Sequence, residues 1–267
     1  MEPVRKIAKE LYAPEGSDGI WWLGNAGFAI RLGNHYVFID PAVTEEAHEW
    51  ERVHDFPLPP DEIQRADHVL YTHEHSDHMD RGLFSRLVEL NASVCAPLYC
   101  RKFLLERGVP ERLIKQSTVG GSFAGDGYTI DVIRARHASG AELYYSTDMD
   151  QDDVTCGYLV QTRYGTIFHP GDSVYLKEFK HLQVDYLLLP VNDTNLNVGF
   201  AAQLTDELQP KAVIPCHYGM WAPAKHWQGG HPAEYLTALA ARGYTLPQTD
   251  VLVLKPGGKL VLTPRLS

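Results

Sequence analysis

The residues best suited to chemistry in this sequence stand together at positions 72–78, which read Thr-His-Glu-His-Ser-Asp-His. Four of these side chains can bind a cation: His73, His75, Asp77 and His78. Clustered imidazoles and carboxylates lose hydration, which is unfavourable unless a cation binds them. In an extended segment, side chains two residues apart point the same way, so the first three face one side. We therefore predict a metal site here, with a solvated polar loop as the alternative.

A metal site of this composition suits hydrolysis. A bound divalent ion lowers the pKa of water to about 7, so that hydroxide is available near neutral pH. No serine or cysteine nucleophile is then needed, and the segment Gly171-Asp172-Ser173 lacks the G-x-S-x-G pattern of serine hydrolases. Histidine and carboxylate ligands suit zinc, manganese and iron alike. We expect zinc or manganese, with iron as a further candidate.

The elements that must position these side chains follow from the hydrophobic pattern. Strands are predicted where short apolar runs end at turn residues, and helices where apolar residues recur at helical spacing. The predicted strands are 20–23, 28–32, 36–40, 69–72, 128–135, 157–162, 166–168, 186–191 and 212–215, and the predicted helices are 83–88, 98–107, 200–208 and 232–239. Strands followed by helices, twice over, predict an α/β fold of two mixed sheets with helices outside, a four-layer αβ/βα sandwich. No linker or repeat interrupts the chain, so 1–267 is expected to be one domain.

The composition narrows the class of protein. The chain has 267 residues, 44% of them hydrophobic, and a formal net charge of −10. An acidic surface repels nucleic acid and anionic membranes, so a small-molecule substrate is expected. The four cysteines form no C-x-x-C pair, and no run has the length of a signal peptide or a membrane span. We expect a cytoplasmic protein whose cysteines are small buried hydrophobic residues.

The H-x-H-x-D-H pattern after an apolar strand resembles the signature of the metallo-β-lactamase superfamily. The superfamily's later motifs are matched in order by R-H-A-S at His137, H-P-G-D-S at Asp172 and P-C-H-Y at His217. Asp40, at the end of F-I-D-P, matches an aspartate of the superfamily that supports the ligands. This resemblance implies the metallo-β-lactamase fold and a site with two metal ions.

The resemblance also implies a role for each ligand. His73, His75 and His137 would hold one ion, Asp77, His78 and His217 would hold the other, and Asp172 would bridge them. Asp77 would also orient the attacking water, which makes Asp77 and Asp172 the catalytic carboxylates. Asp40 is expected to accept a hydrogen bond from the ligand loop without touching metal.

Within the superfamily, the chain is most similar to the L-ascorbate-6-phosphate lactonase-like branch. The similarity lies in W-W-L-G at 21–24, the G-D-S turn, V-I-P-C-H at 213–217 and Trp221. It implies a cyclic ester (lactone) or related carbonyl substrate, a preference for manganese, and assembly into a homo-oligomer. The chain departs from the lactonase pattern at His137, where the lactonase has an aspartate.

The substrate is expected beside the metals, near the segment 41–65. Asn192 and Asp193 follow an apolar strand, so their side chains can reach the edge that carries His217. Tyr218 and Trp221 follow the same histidine and could form the wall of a pocket, or else pack beneath a loop.

Two other functions are compatible with the same ligands. A phosphodiesterase or ribonuclease could use the same two-metal core. Basic residues are few near the motifs, however, and Arg134 and Arg136 are the nearest candidates for binding a phosphate. A regulatory protein that binds metal without catalysis would be favoured by a missing ligand, and none is missing. Assays on lactones and phosphodiesters, with and without a chelator, separate these functions.

Overall fold

Two mixed seven-stranded sheets organise the structure, a computed structural model that describes residues 4–47, 51–138, 150–192, 195–222, 232–243 and 249–264. Each sheet belongs to its own compact unit. The first unit lies within Met1–Thr118, Met220–Pro223 and Leu254–Thr263, and the second within Val119–Gly219, Ala224–Val253 and Pro264–Ser267. The prediction of one domain over 1–267 stays a prediction.

The sheet of the first unit has the strand order β16-β1-β2-β3-β5-β6-β7. Its strands are β1 (Gly19–Gly24), β2 (Gly27–Leu32), β3 (His35–Ile39), β5 (His68–Leu70), β6 (Ser93–Ala96), β7 (Ile114–Gln116) and β16 (Lys259–Val261). The strands from β16 to β3 pair antiparallel, and those from β3 to β7 pair parallel. A separate antiparallel ribbon joins β4 (Glu51–Arg52) to β14 (Trp221–Ala222).

Among its described residues, the first unit also has the short α-helices α1 (Ala8–Leu11), α2 (Phe84–Glu89) and α3 (Arg101–Glu106). Strands β1 and β2 are buried along their whole length, as expected for strands covered on both faces. The turn between them uses Gly24 at φ +102° and Asn25 at φ +49°, two residue types that tolerate left-handed backbone. The core of this unit runs from Ile7 to Leu113 and includes Trp21, Phe38, Tyr71 and Phe84.

The sheet of the second unit has the order β15-β13-β12-β11-β10-β9-β8. Its strands are β8 (Ser122–Gly125), β9 (Tyr128–Arg134), β10 (Cys156–Thr162), β11 (Gly165–His169), β12 (Tyr186–Pro190), β13 (Ala212–Cys216) and β15 (Asp250–Val251). The strands from β8 to β11 form an antiparallel meander, and those from β11 to β15 pair parallel. Consequently β9, β11, β12 and β13 all run in the same direction.

Two helices, α4 (Val198–Leu208) and α5 (Pro232–Ala241), pack in the second unit. The side chain of Asn197 caps α4 by accepting from the backbone N–H groups of Gly199 and Phe200, each at 3.1 Å. The helix ends at Gln209, which has left-handed backbone at φ +46°. The hydroxyl groups of Thr205 in α4 and Tyr235 in α5 lie 2.7 Å apart, which fixes the two helices to each other.

Every strand and helix that the sequence predicts is present, with some different ends. The predicted helix 98–107 is a 3₁₀ turn, Leu98–Cys100, followed by α3. The predicted strand 69–72 ends at Leu70, because the N–H of Thr72 donates to the carboxylate of Asp40 and not to a neighbouring strand. Eight of the helices and strands in the described residues were not predicted, and all are short: α1, β4, β6, β7, β8, β14, β15 and β16.

Two expectations from composition concern cysteines and membranes. All four cysteines are buried, as predicted. Burial raises the pKa of the Cys95 thiol to about 12, so it behaves as an apolar group. Within the part of the chain that the structure describes, no helix is long and apolar enough to cross a membrane.

Candidate metal centre

Sheet topology explains why Asp40 lies beside the histidine loop of the first unit. Strands β3 and β5 are parallel neighbours, so the residues that follow them leave the sheet at the same edge. Asp40 follows β3, and the segment from Thr72 to His78 follows β5. The N–H of Asp40 donates to the carbonyl of Leu70 at 2.9 Å, which joins the two strand ends.

The histidine loop is held from both ends. The backbone N–H groups of His78 and Met79 donate to the carbonyl of His75 at 3.0 and 2.7 Å, which closes a turn. Beyond the turn, the buried carboxylate of Asp80 accepts from the backbone N–H groups of Val43 and Thr44 at 2.8 and 2.7 Å. Burial raises the pKa of Asp80, while these hydrogen bonds oppose the shift. The loop is therefore fixed to the segment that follows Asp40.

Asp40 is the hub of this half of the site. It is fully buried, and its carboxylate accepts from Thr72 N at 2.8 Å, Thr72 Oγ1 at 2.6 Å and His78 Nδ1 at 2.8 Å. Thr72 Oγ1 also lies 3.0 Å from His73 Nδ1. The only hydroxyl proton of Thr72 goes to Asp40, so the threonine oxygen accepts from His73. Asp40 thus orients one histidine directly and a second one through Thr72.

These bonds set the chemistry of the two rings. A histidine that donates from Nδ1 carries its lone pair on Nε2, the nitrogen that can bind a metal ion. The ring centroids of His73 and His75 lie 4.5 Å apart, and those of His73 and His78 lie 4.2 Å apart. His78 Nε2 is 3.7 Å from Asp77 Oδ2. Imidazoles brought this close, with two of them fully buried, fit a divalent cation.

Asp77 has a partner that the sequence did not reveal. The side-chain amide of Asn25 donates to the backbone carbonyl of Asp77 at 2.9 Å and to its Oδ2 atom at 3.1 Å. Asn25 itself is 3% exposed, and its backbone carbonyl accepts a hydrogen bond from the indole N–H of Trp22 at 2.8 Å. The G-N turn between β1 and β2 therefore also positions the carboxylate of the histidine loop.

The second unit brings together the other three predicted ligands. Strands β9, β11 and β13 run in the same direction, and His137, Asp172 and His217 follow them at one edge of the sheet. Asp172 Oδ2 lies 3.3 Å from His217 Nε2 and 3.9 Å from His137 Nε2. His137 Nδ1 lies 3.1 Å from the carbonyl of Ala138, which again leaves the lone pair on Nε2.

The predicted substrate contacts have different surroundings. Asn192 is buried, and its Oδ1 atom accepts from the N–H of Asn195 at 2.7 Å, whereas Asp193 lies outside the described residues. Tyr218 is partly buried, which raises the pKa of its hydroxyl. Trp221 is buried in the first unit, with the guanidinium of Arg52 5.1 Å from its ring centroid. Contact with substrate stays a prediction for all four residues.

The two arginines considered for binding phosphate already lie beside carboxylates of the protein. Arg134 is exposed and forms an ion pair with Asp152 at 2.8 Å. Arg136 lies 3.5 Å from the same carboxylate and 3.9 Å from Asp150. Both guanidinium groups therefore face protein carboxylates.

Left-handed backbone is concentrated at this candidate site. Five described residues other than glycine have positive φ, and three of them are Asn25 (+49°), Asp40 (+43°) and His217 (+66°). Such backbone is uncommon for residues with a side chain and often marks a functional position.

Known proteins resemble this chain in sequence and in fold. A family model described as a beta-lactamase superfamily domain matches residues 35–218. The chain belongs to this superfamily. A UPF0173 metal-dependent hydrolase of Pyrobaculum arsenaticum is 26% identical over 255 residues, covering 91% of this chain and 99% of the relative. Another from Pyrococcus horikoshii is 28% identical over 251 residues, covering 90% and 98%.

A solved structure shows the same fold. The metallo hydrolase Igni18 from Ignicoccus hospitalis aligns with a TM-score of 0.69 at 20% identity, covering 91% of this chain and 97% of that one. The predicted α/β metallo-β-lactamase fold is confirmed. The chain is thus a metal-dependent hydrolase of the metallo-β-lactamase superfamily, as its motifs predicted.

Proposed function

We propose that this hydrolase acts on a small cyclic ester (lactone) or related carbonyl substrate with two divalent metal ions. The observation that carries the proposal is the orientation of three histidines. His73, His78 and His137 each have Nδ1 within 3.1 Å of an oxygen acceptor, which leaves the lone pair of each ring on Nε2. Rings prepared in this way suit zinc, manganese or iron, with the first two favoured.

The seven predicted ligands would form the proposed centre. His73, His75 and His137 would hold one ion, Asp77, His78 and His217 the other, and Asp172 would belong to both. Two such ions supply hydroxide near neutral pH and stabilise negative charge on the substrate oxygen. The protein would supply the orientation of the reacting groups. The Oδ2 atom of Asp77 accepts a hydrogen bond from Asn25. Its Oδ1 atom would accept a proton from the attacking water.

Two observations favour a small carbonyl substrate over a phosphodiester. The two arginines considered as candidates for binding a phosphate, Arg134 and Arg136, already pair with Asp152. The net charge of −10 opposes capture of RNA, which depends on neutralising its phosphates. The lactonase-like branch remains the proposed relationship within the superfamily.

The test is a substrate screen on protein freed of metal and then reloaded with zinc or manganese. Lactones, bis(p-nitrophenyl) phosphate and RNA would be assayed in parallel at moderate salt, with a chelator in a matched series. We expect lactone hydrolysis that the chelator abolishes and that metal restores. RNA or phosphodiester cleavage without lactone hydrolysis would replace this function with that of a nuclease. Metal binding without any turnover would favour a regulatory protein.

The proposed location is the cytoplasm, because four buried cysteines with no C-x-x-C pair suit a reducing compartment. A homo-oligomer stays a prediction that analytical ultracentrifugation would test.

A further inference from the structure

Asn195 lies between the two ligand-bearing segments of the second unit. It follows β12, precedes the cap of α4 and is 4% exposed. Its Oδ1 atom accepts from the backbone N–H of Ala138 at 2.7 Å, directly after His137. Its Nδ2 atom donates to Asp172 Oδ2 at 3.1 Å. One amide side chain therefore contacts both the peptide next to one predicted ligand and the carboxylate of another.

The partners of Asn195 determine which way its amide group points. A backbone N–H can only donate and an ionised carboxylate can only accept, so Oδ1 must face Ala138 and Nδ2 must face Asp172. An aspartate at this position could not donate to Asp172, and an apolar residue could do neither. Asparagine is the residue of this length that satisfies both groups.

The backbone of Asn195 is fixed as well. Its N–H donates to Asn192 Oδ1 at 2.7 Å, and the N–H of Asn192 donates to the carbonyl of Leu196 at 3.2 Å. Asn192 lies two residues after the end of β12 at Pro190 and directly follows the buried residue Val191. The backbone of Asn195 is thus held by a buried side chain close to the end of β12, and not by a solvent-exposed one.

Other bonds join the same two segments without touching the carboxylate. The N–H of Arg136 donates to Ser173 Oγ at 3.0 Å, and the N–H of Val174 donates to the carbonyl of Arg136 at 2.7 Å. These bonds set the distance between the segments. The hydrogen bond from Asn195, in contrast, acts on the Asp172 side chain itself and sets its rotation.

We propose that Asn195 is a positioning residue that orients Asp172 and the His137 segment for metal binding. The proposal rests on the proposed function, in which Asp172 and His137 are ligands. Without the amide, Asp172 Oδ2 can rotate and the Ala138 N–H loses its buried acceptor. Partners of this kind commonly change metal affinity by about 10- to 100-fold.

The experiment compares Asn195→Ala with wild type and with Asn197→Ala. Asn197 is a matched control, because it is an asparagine two residues away whose side chain also accepts backbone N–H groups but caps α4. Affinity for zinc and manganese would be measured by competition with a chromophoric chelator, alongside thermal unfolding of the metal-free proteins. We expect Asn195→Ala to bind metal about 10- to 100-fold more weakly. Asn197→Ala should unfold at a lower temperature and keep wild-type affinity.

Kinetics supply an independent readout. At limiting metal, Asn195→Ala should lose kcat with little change in KM, and added metal should restore part of the loss. Asn195→Ser, whose hydroxyl is a smaller polar replacement, should lie between alanine and wild type and provides the test if the alanine variant does not fold. Affinity of both variants equal to that of Asn197→Ala would overturn the proposal, as would an unmoved Asp172 in a crystal structure of Asn195→Ala. A wild-type protein that bound no divalent ion would overturn the proposed function and this proposal together.

Discussion

At the scale of single residues, the surroundings of Asp40 explain how a buried carboxylate can be stable. Three donors, from the backbone and hydroxyl of Thr72 and the ring of His78, satisfy its two oxygens. Hydrogen bonds to a charged group contribute more than those between neutral groups. Because those donors lie in the predicted ligand loop, removing the charge of Asp40 should weaken metal binding.

Asp40→Asn tests this connection. Asparagine also tolerates the left-handed backbone at this position, so the change removes charge without adding backbone strain. The NH2 group of the new asparagine cannot accept a hydrogen bond, so one of the donors from Thr72 and His78 would lose its acceptor. We expect metal affinity to fall about 10- to 100-fold and the free energy of unfolding to fall by about 1–3 kcal/mol.

The control for Asp40→Asn is Asp67→Asn. Asp67 also accepts a backbone N–H, that of Tyr36 at 2.8 Å, but it lies before β5. The Asp67→Asn variant should be less stable than wild type and keep wild-type metal affinity. Denaturant unfolding would measure the stability, and chelator competition the affinity. Equal loss of metal affinity in both variants would contradict the role given to Asp40.

Asp77→Asn addresses catalysis. An amide can still lie beside Asn25 but cannot accept a proton from water, so kcat should fall about 100-fold or more. Circular dichroism should remain that of the wild type. Asp61→Asn, at an exposed aspartate, is the control and should leave turnover unchanged. Near-native activity of Asp77→Asn would refute the role of Asp77.

The resemblance of the motifs pointed to the seven predicted ligands and to Asp40, but not to Asn25 or Asn195. An aspartate after an apolar strand, in a chain that also carries H-x-H-x-D-H, has few structural explanations. An asparagine in a turn has many, because Gly-Asn and Asn-x-x-Asn are common in ordinary loops. Only the contacts of their amide groups distinguish Asn25 and Asn195 from turn residues.

At the scale of elements, long apolar runs were predictable, and short strands other than β5 were mostly not. Strand β12 is apolar through Leu189, while β7, Ile114–Gln116, has a single apolar residue and is recognisable only by its pairing with β6. Strand β8 alternates exposed and half-buried residues at an edge of the sheet. Three or four residues contain too little periodicity to separate a strand from a loop.

Helix α4 offers a test of an element end. Gln209 is exposed and has left-handed backbone, a conformation in which glycine avoids a steric penalty. We expect Gln209→Gly to raise the free energy of unfolding by about 0.5–1 kcal/mol. The same change inside the helix, Gln203→Gly, should lower it by about 1 kcal/mol. Chemical denaturation of both variants would show whether the two effects have opposite signs.

At the scale of the whole molecule, stability and metal binding should be linked. Ions that bind only the folded chain stabilise it by about 2.7 kcal/mol per site at a concentration 100 times Kd. We expect Tm to rise with added zinc or manganese and to fall with chelator. Magnesium, which prefers oxygen ligands, is the control. Saturation at two ions per chain in elemental analysis is expected, and saturation at one ion would refute the two-metal assignment.

The left-handed backbone at His217 has a consequence for laboratory evolution. Holding a residue with a side chain in this conformation costs about 1–3 kcal/mol. Asparagine adopts this backbone more readily, so His217→Asn should make the metal-free protein up to about 1 kcal/mol more stable while abolishing turnover. Selection for heat resistance alone would therefore favour the loss of this histidine. Libraries screened for thermostability should be screened for activity in the same round.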